Sequence, residues 1–392
     1  MPQFADYRIK LLDHNTDEVV RLFPGDDFQN ITWQHMLNNP GVFRLELVAE
    51  TTTKDEFTVD YQVLIERNAT GNEADWYEEF VGFHLDDEEW YEGDQVDEHY
   101  WASMGQSPEW LIDQPLLQPL MNIGNDNWAF YDKWWAHGYA DDVVKLMVAE
   151  SMVSSPDTDR NFANMIVEGN SSAGTIDCYE GAYVRLLDAV RDTIGEDGSR
   201  GDCDFAVVRV AGGYEFQTHS PFKGTDRRVG NAEGNQPTVF SFEHENMKNP
   251  RLRTIRHGEV TVAIGGWQGS GMQRPIYTQT NAEALAESPY RRREQFYDLR
   301  DLSQPDVIEA YLRQKLEDDG KKEILTFELI QTNACLYGPP PGGHWQMGDL
   351  CTAIAFDRTW DVRIIDASGR LSGENEEEIE GYAESWTREE SA

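Results

Sequence analysis

Phe57-Thr58-Val59-Asp60-Tyr61-Gln62-Val63-Leu64-Ile65-Glu66 is the stretch that decides the class of fold. Phe57, Val59, Tyr61, Val63 and Ile65 fall on one face, and Thr58, Asp60, Gln62 and Glu66 on the other. A period of two predicts a half-buried strand. The turn-rich Arg67-Asn68-Ala69-Thr70-Gly71-Asn72 follows and leads into Trp76–Leu85, so a long hairpin is expected. Upstream, Asn39-Pro40-Gly41 marks a turn before the alternating Phe43–Leu47. Residues 1–120 therefore read as a small antiparallel barrel or sandwich.

Outward from there the character changes. Residues 121–200 read as a helical, mixed insert. Val143, Val144, Met147 and Val148 share a helical face, as do Tyr183, Leu186, Leu187, Val190 and Ile194, with Gly195 as the stop. Residues 201–320 read as a mixed β domain with a helix. Phe205–Val210 and Tyr214–Thr218 flank the hairpin signal Ala211-Gly212-Gly213. Val239–Phe242 and Val260–Ile264 predict further strands, and Asp306–Asp319 a helix. Residues 321–392 read as a closing β segment with an acidic tail. Ile324–Leu336 alternates, which puts Leu325, Phe327 and Leu329 in a core with Val362 and Ile364. Leu350–Phe356 and Trp360–Ile365 flank the tight turn Asp357-Arg358-Thr359. The tail after Gly369, with Glu374, Glu376, Glu377, Glu378 and Glu380, is expected at the surface. The class is α+β and β-rich.

Charge narrows the function classes. The 392 residues hold 72 Asp and Glu against 33 Lys and Arg, a formal charge of -39. Sequence-independent nucleic-acid binding needs basic side chains that displace counterions, so it is disfavoured. Anionic membranes are disfavoured for the same reason. No apolar run approaches the ~18 residues of a membrane span. The start, Met1-Pro2-Gln3-Phe4-Ala5-Asp6, is read as lacking a secretory leader. Only nine of the basic residues are Lys. So acidic a chain stays compact most easily in high salt, which favours a salt-loving host, the alternative being an ordinary acidic protein that its charge keeps soluble. Cys178, Cys203, Cys335 and Cys351 form no C-x-x-C and read as reduced, buried thiols; a Cys335–Cys351 disulfide is not indicated.

Signals for chemistry are weak. Asp86-Asp87-Glu88-Glu89, Asp141-Asp142 and Asp318-Asp319 read as solvated surface, since among 72 acids some pair meets any spacing. Glu243-His244-Glu245 lacks metal-site spacing. Gly265–Gly271 lacks the Lys of a phosphate loop and reads as a flexible loop. Trp101, Trp110, Trp128, Trp134 and Trp135 could stack on sugars, but core or subunit interface is the simpler reading. No metal or cofactor is implied. Arg227, Arg228, Arg291, Arg292, Arg293 and Arg300, with Asp298 and Asp301, are the candidates for ion pairs within or between subunits, which suits the guanidinium fork.

One series of segments carries a family resemblance. It comprises Gly224-Thr225-Asp226-Arg227-Arg228, then Val239–Phe242 followed by Asn246, then Arg291-Arg292-Arg293-Glu294 with Phe296 and Asp298–Asp301, and Gly348-Asp349-Leu350. Tyr61–Glu66, Trp76–Gly82 and Pro115-Leu116-Leu117 add to it. In this order the chain resembles the tail-hub family of long-tailed phages, related to the baseplate hubs of contractile phages. Glu245 stands where that pattern leads us to expect Gly. The resemblance implies two tube-type β-barrel hub domains with further domains inserted, and a homotrimer at the virion tail tip, assembled in the host cytoplasm; the missing nucleophile, metal and phosphate-loop signatures lead us to expect no enzymatic activity. It also implies contacts with tail-tube or distal tail proteins and with tip or fibre proteins, and a channel that passes DNA without binding it specifically. A receptor- or glycan-binding tail protein is the alternative, and a glycoside hydrolase a remoter one.

Overall fold

The computed structural model describes residues 5–14, 16–25, 27–49, 54–91, 99–124, 127–130, 132–195, 202–269, 271–287, 289–300, 305–340, 342–372 and 376–386. The chain forms two compact units, one of residues 1–250 with 327–392, the other of residues 251–326.

The first unit is built on one long sheet. Its N-terminal strands are β1 (Asp6–Leu12), β2 (Val19–Pro24), β3 (Asn30–Met36), β4 (Asn39–Val48), β5 (Gln62–Asn68), β6 (Tyr77–Tyr91) and β7 (His99–Gln106). They lie in the order β3-β4-β7-β6-β5-β1-β2. Alternation along each strand puts Ile9, Leu11, Ile31, Trp33, Phe43, Leu45, Val63, Ile65 and Phe80 in the core.

A helical layer follows. Strand β8 (Trp134–Tyr139) leads into α1 (Ala140–Met152), which is followed by β9 (Met165–Val167), β10 (Ile176–Gly181) and α2 (Leu186–Ile194). Hairpin β11 (Asp204–Val210) and β12 (Gly213–His219) follows, as its glycines predict. Val143, Val144, Met147 and Val148 pack against Leu186, Val190 and Ile194 and against Phe205 and Phe216. Gly195 ends α2 at φ 84°, a conformation that suits a residue without Cβ.

Strands β13 (Val239–Ser241) and β14 (Met247–Ile255) come next; the division between the units falls along β14. The second unit is a small sheet of β15 (Val262–Gly266), β16 (Ile276–Thr280) and β17 (Glu294–Asp298), covered by α3 (Pro305–Asp318). Its core joins Ala263 and Leu299 to Ile308, Leu312 and Leu316. Gly265 and Gly266 belong to β15 and Gly271 to a 3-10 turn, so those three glycines are not in the loop expected over Gly265–Gly271.

The chain returns through β18 (Lys322–Ile330) and ends in β19 (Leu350–Ala355), β20 (Arg358–Ser372) and β21 (Glu377–Ser385). Leu325, Phe327, Leu329, Val362 and Ile364 are all buried. Strand β20 pairs antiparallel with β3, Trp33 opposite Gly369 and Ile31 opposite Leu371, so the last strands extend the sheet of the first. Gly369 is required there: a Cβ would lie 2.4 Å from the Trp33 ring.

Three expectations are corrected. The strand expected from Phe57 begins at Gln62. Residues 54–61 turn instead, because Phe57 is drawn into the ring cluster of Trp101 and His84, and Asp60 adopts φ 69° to bond the His84 carbonyl. Tyr183 lies ahead of α2 at φ 59° and is exposed, because the helix begins at Leu186. The acidic tail is a sheet strand: Ile379 and Ala383 are buried on one side of β21, and Glu378 and Glu380 face out on the other.

Candidate functional site

Along β3, β4, β20 and β21 the long sheet has one buried face and one open face, whereas along β5 and β6 both faces are buried. On the open face, Thr32 and Gln34 of β3 sit beside Arg44 and Glu46 of β4, Ser368 and Arg370 of β20, and Glu378 and Glu380 of β21. A groove of about 320 Å³ runs between these side chains. Asp86 and Glu88 of β6 are exposed further along. Arg44 bonds Glu46 and Glu88, both at 2.8 Å. Burial weakens its charge, but those two carboxylates outweigh burial and hold it protonated more firmly than usual.

Beneath lies a clamp between the two ends of the chain. Arg67 donates to both Glu377 oxygens, at 2.7 and 3.1 Å, and to the Tyr77 hydroxyl at 2.8 Å. The Tyr7 hydroxyl donates to the same carboxylate at 2.7 Å. A second buried pair joins Arg363 to Asp204, whose Oδ1 also accepts from Asn38. Nothing local in the sequence marks Arg67, Glu377, Arg363 or Asp204; the skew from Lys to Arg is the one trace, since Arg suits buried bidentate pairing.

Two of the resemblance motifs meet. Asp349 accepts from the Thr225 and Gln346 amides at 2.8 and 3.0 Å and from Arg227 Nε at 2.8 Å. Burial pushes its carboxyl above the usual range, against those three donors. Gly224, at φ 107°, packs so closely on Gly348 that a Cβ would come within 2.4 Å of its backbone. Nearby, the Asn246 side chain bridges the Ser241 amide and the Val239 carbonyl, and Glu245 holds φ 55°, the left-handed region that favours glycine.

The other candidates lie apart from these. Arg228 pairs with Asp226 and Asp361. Arg291 and Arg293 approach Glu259, and Arg292 pairs with Glu294. Asp298 pairs with Arg274 and Arg300. Asp301 lies outside the described residues.

Asp141, expected in solvent, is fully buried: Ser171, the Ala173 amide and Lys145 surround it. Trp101 and Trp134 are buried, whereas Trp135 is 73% exposed; the Trp128 side chain is not described. Cys203, Cys335 and Cys351 are free and buried, and burial pushes the Cys203 thiol up to about 12. His244 sits against the Val239 carbonyl, and among the described residues no group of three His, Cys, Asp or Glu could hold a metal.

The family model described as Siphovirus ReqiPepy6 Gp37-like protein matches residues 121–372. No curated protein matches the chain. Among solved structures, the tail protein from Neisseria meningitidis MC58 is similar at 10% identity and a TM-score of 0.53, over 96% of each chain. The prophage MuSo2 43 kDa tail protein from Shewanella oneidensis is similar at 9% identity and a TM-score of 0.54, over 97% of each chain. A chain of the Francisella PdpA-VgrG complex aligns with 99% of this chain and 54% of its own, at 10% identity and a TM-score of 0.53. At such identities the likeness speaks for the fold alone.

Proposed function

The chain belongs to the Siphovirus ReqiPepy6 Gp37-like protein family, and on that premise we propose that it is a structural hub of a virion tail tip. In this reading two tube-type β-barrel domains, 1–120 and 321–392, flank the inserts 121–200 and 201–320. Three copies form a ring that closes the tail tube, seats tip or fibre proteins, and encloses part of the DNA channel.

The observation that carries the reading is the pairing of β3 with β20. It makes the first and last strands one continuous wall, whose outward side chains are mostly polar. We assign the open face to the channel. Glu46, Asp86, Glu88, Glu378 and Glu380 outnumber Arg44 and Arg370 there. Acidic walls repel phosphate, so passing DNA gains no counterion-release affinity that would hold it. The role is mechanical and needs no cofactor.

Imaging of the assembled tail tip tests this. Three copies around the axis, with Glu378 and Glu380 facing the lumen, are expected. The receptor- or glycan-binding alternative draws on the exposed Trp135 and Tyr139 of β8. Binding of the purified chain to host envelope, lost in Trp135→Ala, would favour it.

A further inference from the structure

The charge of the chain is divided between its two units. Residues 251–326 hold 12 of the 33 basic side chains and 12 of the 72 acidic ones. That unit is therefore neutral, and the whole formal charge of -39 belongs to residues 1–250 and 327–392. Inside the neutral unit most arginines are already matched. Arg256 bonds Glu287 at 2.7 Å, Arg291 holds Glu259, Arg292 holds Glu294, and Arg274 and Arg300 share Asp298.

Arg251 and Arg253 differ. They alternate along β14, so they share a face of that strand, and both are exposed. Among the described residues neither has an ion-pair partner. Two such guanidinium groups side by side are unusual in a chain where acids outnumber bases more than twofold.

We propose that Arg251 and Arg253 of the neutral unit form the docking point for the acidic unit of a second copy of this chain. The inference rests on the ring reading and gives it a contact. Charge complementarity selects this occupant. Two acidic units meeting face to face would repel one another, whereas a neutral unit with two open arginines can approach. A phosphate backbone is the poorer match, because the neutral unit offers no net positive field to draw DNA in. Arginine forks are suited to carboxylates at a partly dried interface.

The test is self-association of the full chain, followed by sedimentation at one fixed salt concentration, for wild type, R251E/R253E and K133E/R185E. Lys133 and Arg185 are exposed on the acidic unit, so both double variants shift the net charge equally. The proposal expects R251E/R253E to associate at least tenfold more weakly, K133E/R185E to stay within about threefold of wild type, and R251K/R253K to recover most of the loss. Circular dichroism of each variant checks that folding is kept. Equal weakening in both glutamate variants would reduce the effect to global charge and overturn the proposal. A wild-type ring that R251E/R253E also forms would overturn it while leaving the ring reading intact. A wild type that stays monomeric at every protein concentration, there and in molar KCl, would remove both. Retention of a short DNA duplex by wild type, lost in R251E/R253E, would give the surface to nucleic acid instead.

Discussion

Arg67 and Glu377, 310 positions apart, form a bidentate ion pair whose side chains are 2% and 1% exposed. The pair ties β5 to β21, with Tyr7, Tyr77 and Gln331 completing its hydrogen bonds. Removing one partner leaves a buried charge without its counter-ion. Glu377→Ala should therefore destabilise the chain by about 3–5 kcal/mol, while the apolar double variant Arg67→Met with Glu377→Leu should recover most of that loss. Denaturant unfolding of the single and double variants measures both. A loss below ~1 kcal/mol for the single change would show that the pair does not hold the two ends together.

Glu245 occupies a left-handed turn at φ 55° beside the Asn246 bridge. A side chain without Cβ relieves that conformation, and a β-branched one aggravates it. Glu245→Gly should be neutral to mildly stabilising, and Glu245→Val should cost about 1–2 kcal/mol. Equal melting temperatures for the two variants would mean that the turn carries no strain.

Acid should loosen the first unit at its ion-paired carboxylates, with the buried Asp349 working in the opposite sense. Burial would raise the carboxyl of Glu66, but Arg8 and Lys10 overcome it and hold the group below its usual range. Asp226 is lowered likewise by Arg228, and Asp141 by Ser171, the Ala173 amide and Lys145. A carboxyl lowered on folding adds stability that is complete above its unfolded value, near 4, and is lost as pH falls through the folded one. Stability from these groups should be level from neutral pH down to about 5 and fall below about 4. Unfolding midpoints across that range check the sign; stability rising as pH drops from 5 to 3 would contradict it.

Much of this architecture is legible in local periodicity. The hairpin turning at Ala211–Gly213, the helix ending at Gly195 and the buried Phe327 face all follow from spacing within about a dozen residues. What is not legible depends on partners hundreds of positions away. Nothing near Ser368 or Gly369 tells that β3 lies beside them, and nothing near Glu377 distinguishes it from the exposed Glu378. The tail looks like solvated acid because its alternate Ile379, Gly381 and Ala383 include small residues that carry little hydrophobic signal. Phe57 misleads in the opposite direction: its alternation with Val59 and Tyr61 serves a buried ring in a turn.

Salt should control assembly before it controls folding. With acids at 72 against 33 bases, neighbouring copies repel over about 30 Å at 0.01 M salt but only about 3 Å at 1 M. Dialysis to low salt should dissociate the assembly, and molar KCl should restore it. Light scattering over a salt series follows this. Equal stability at both extremes would remove the salt-loving reading and leave the fold untouched.

We propose that three copies, each with two tube-type β units, make one ring. The measurement that bears on it most directly is the copy number and rotational symmetry of the particle in molar salt, read by mass and by electron-microscopic imaging. Three copies related by a threefold axis are expected, with the open faces of the long sheets turned toward a central pore. Six copies around the axis, or a particle without a pore, would contradict it.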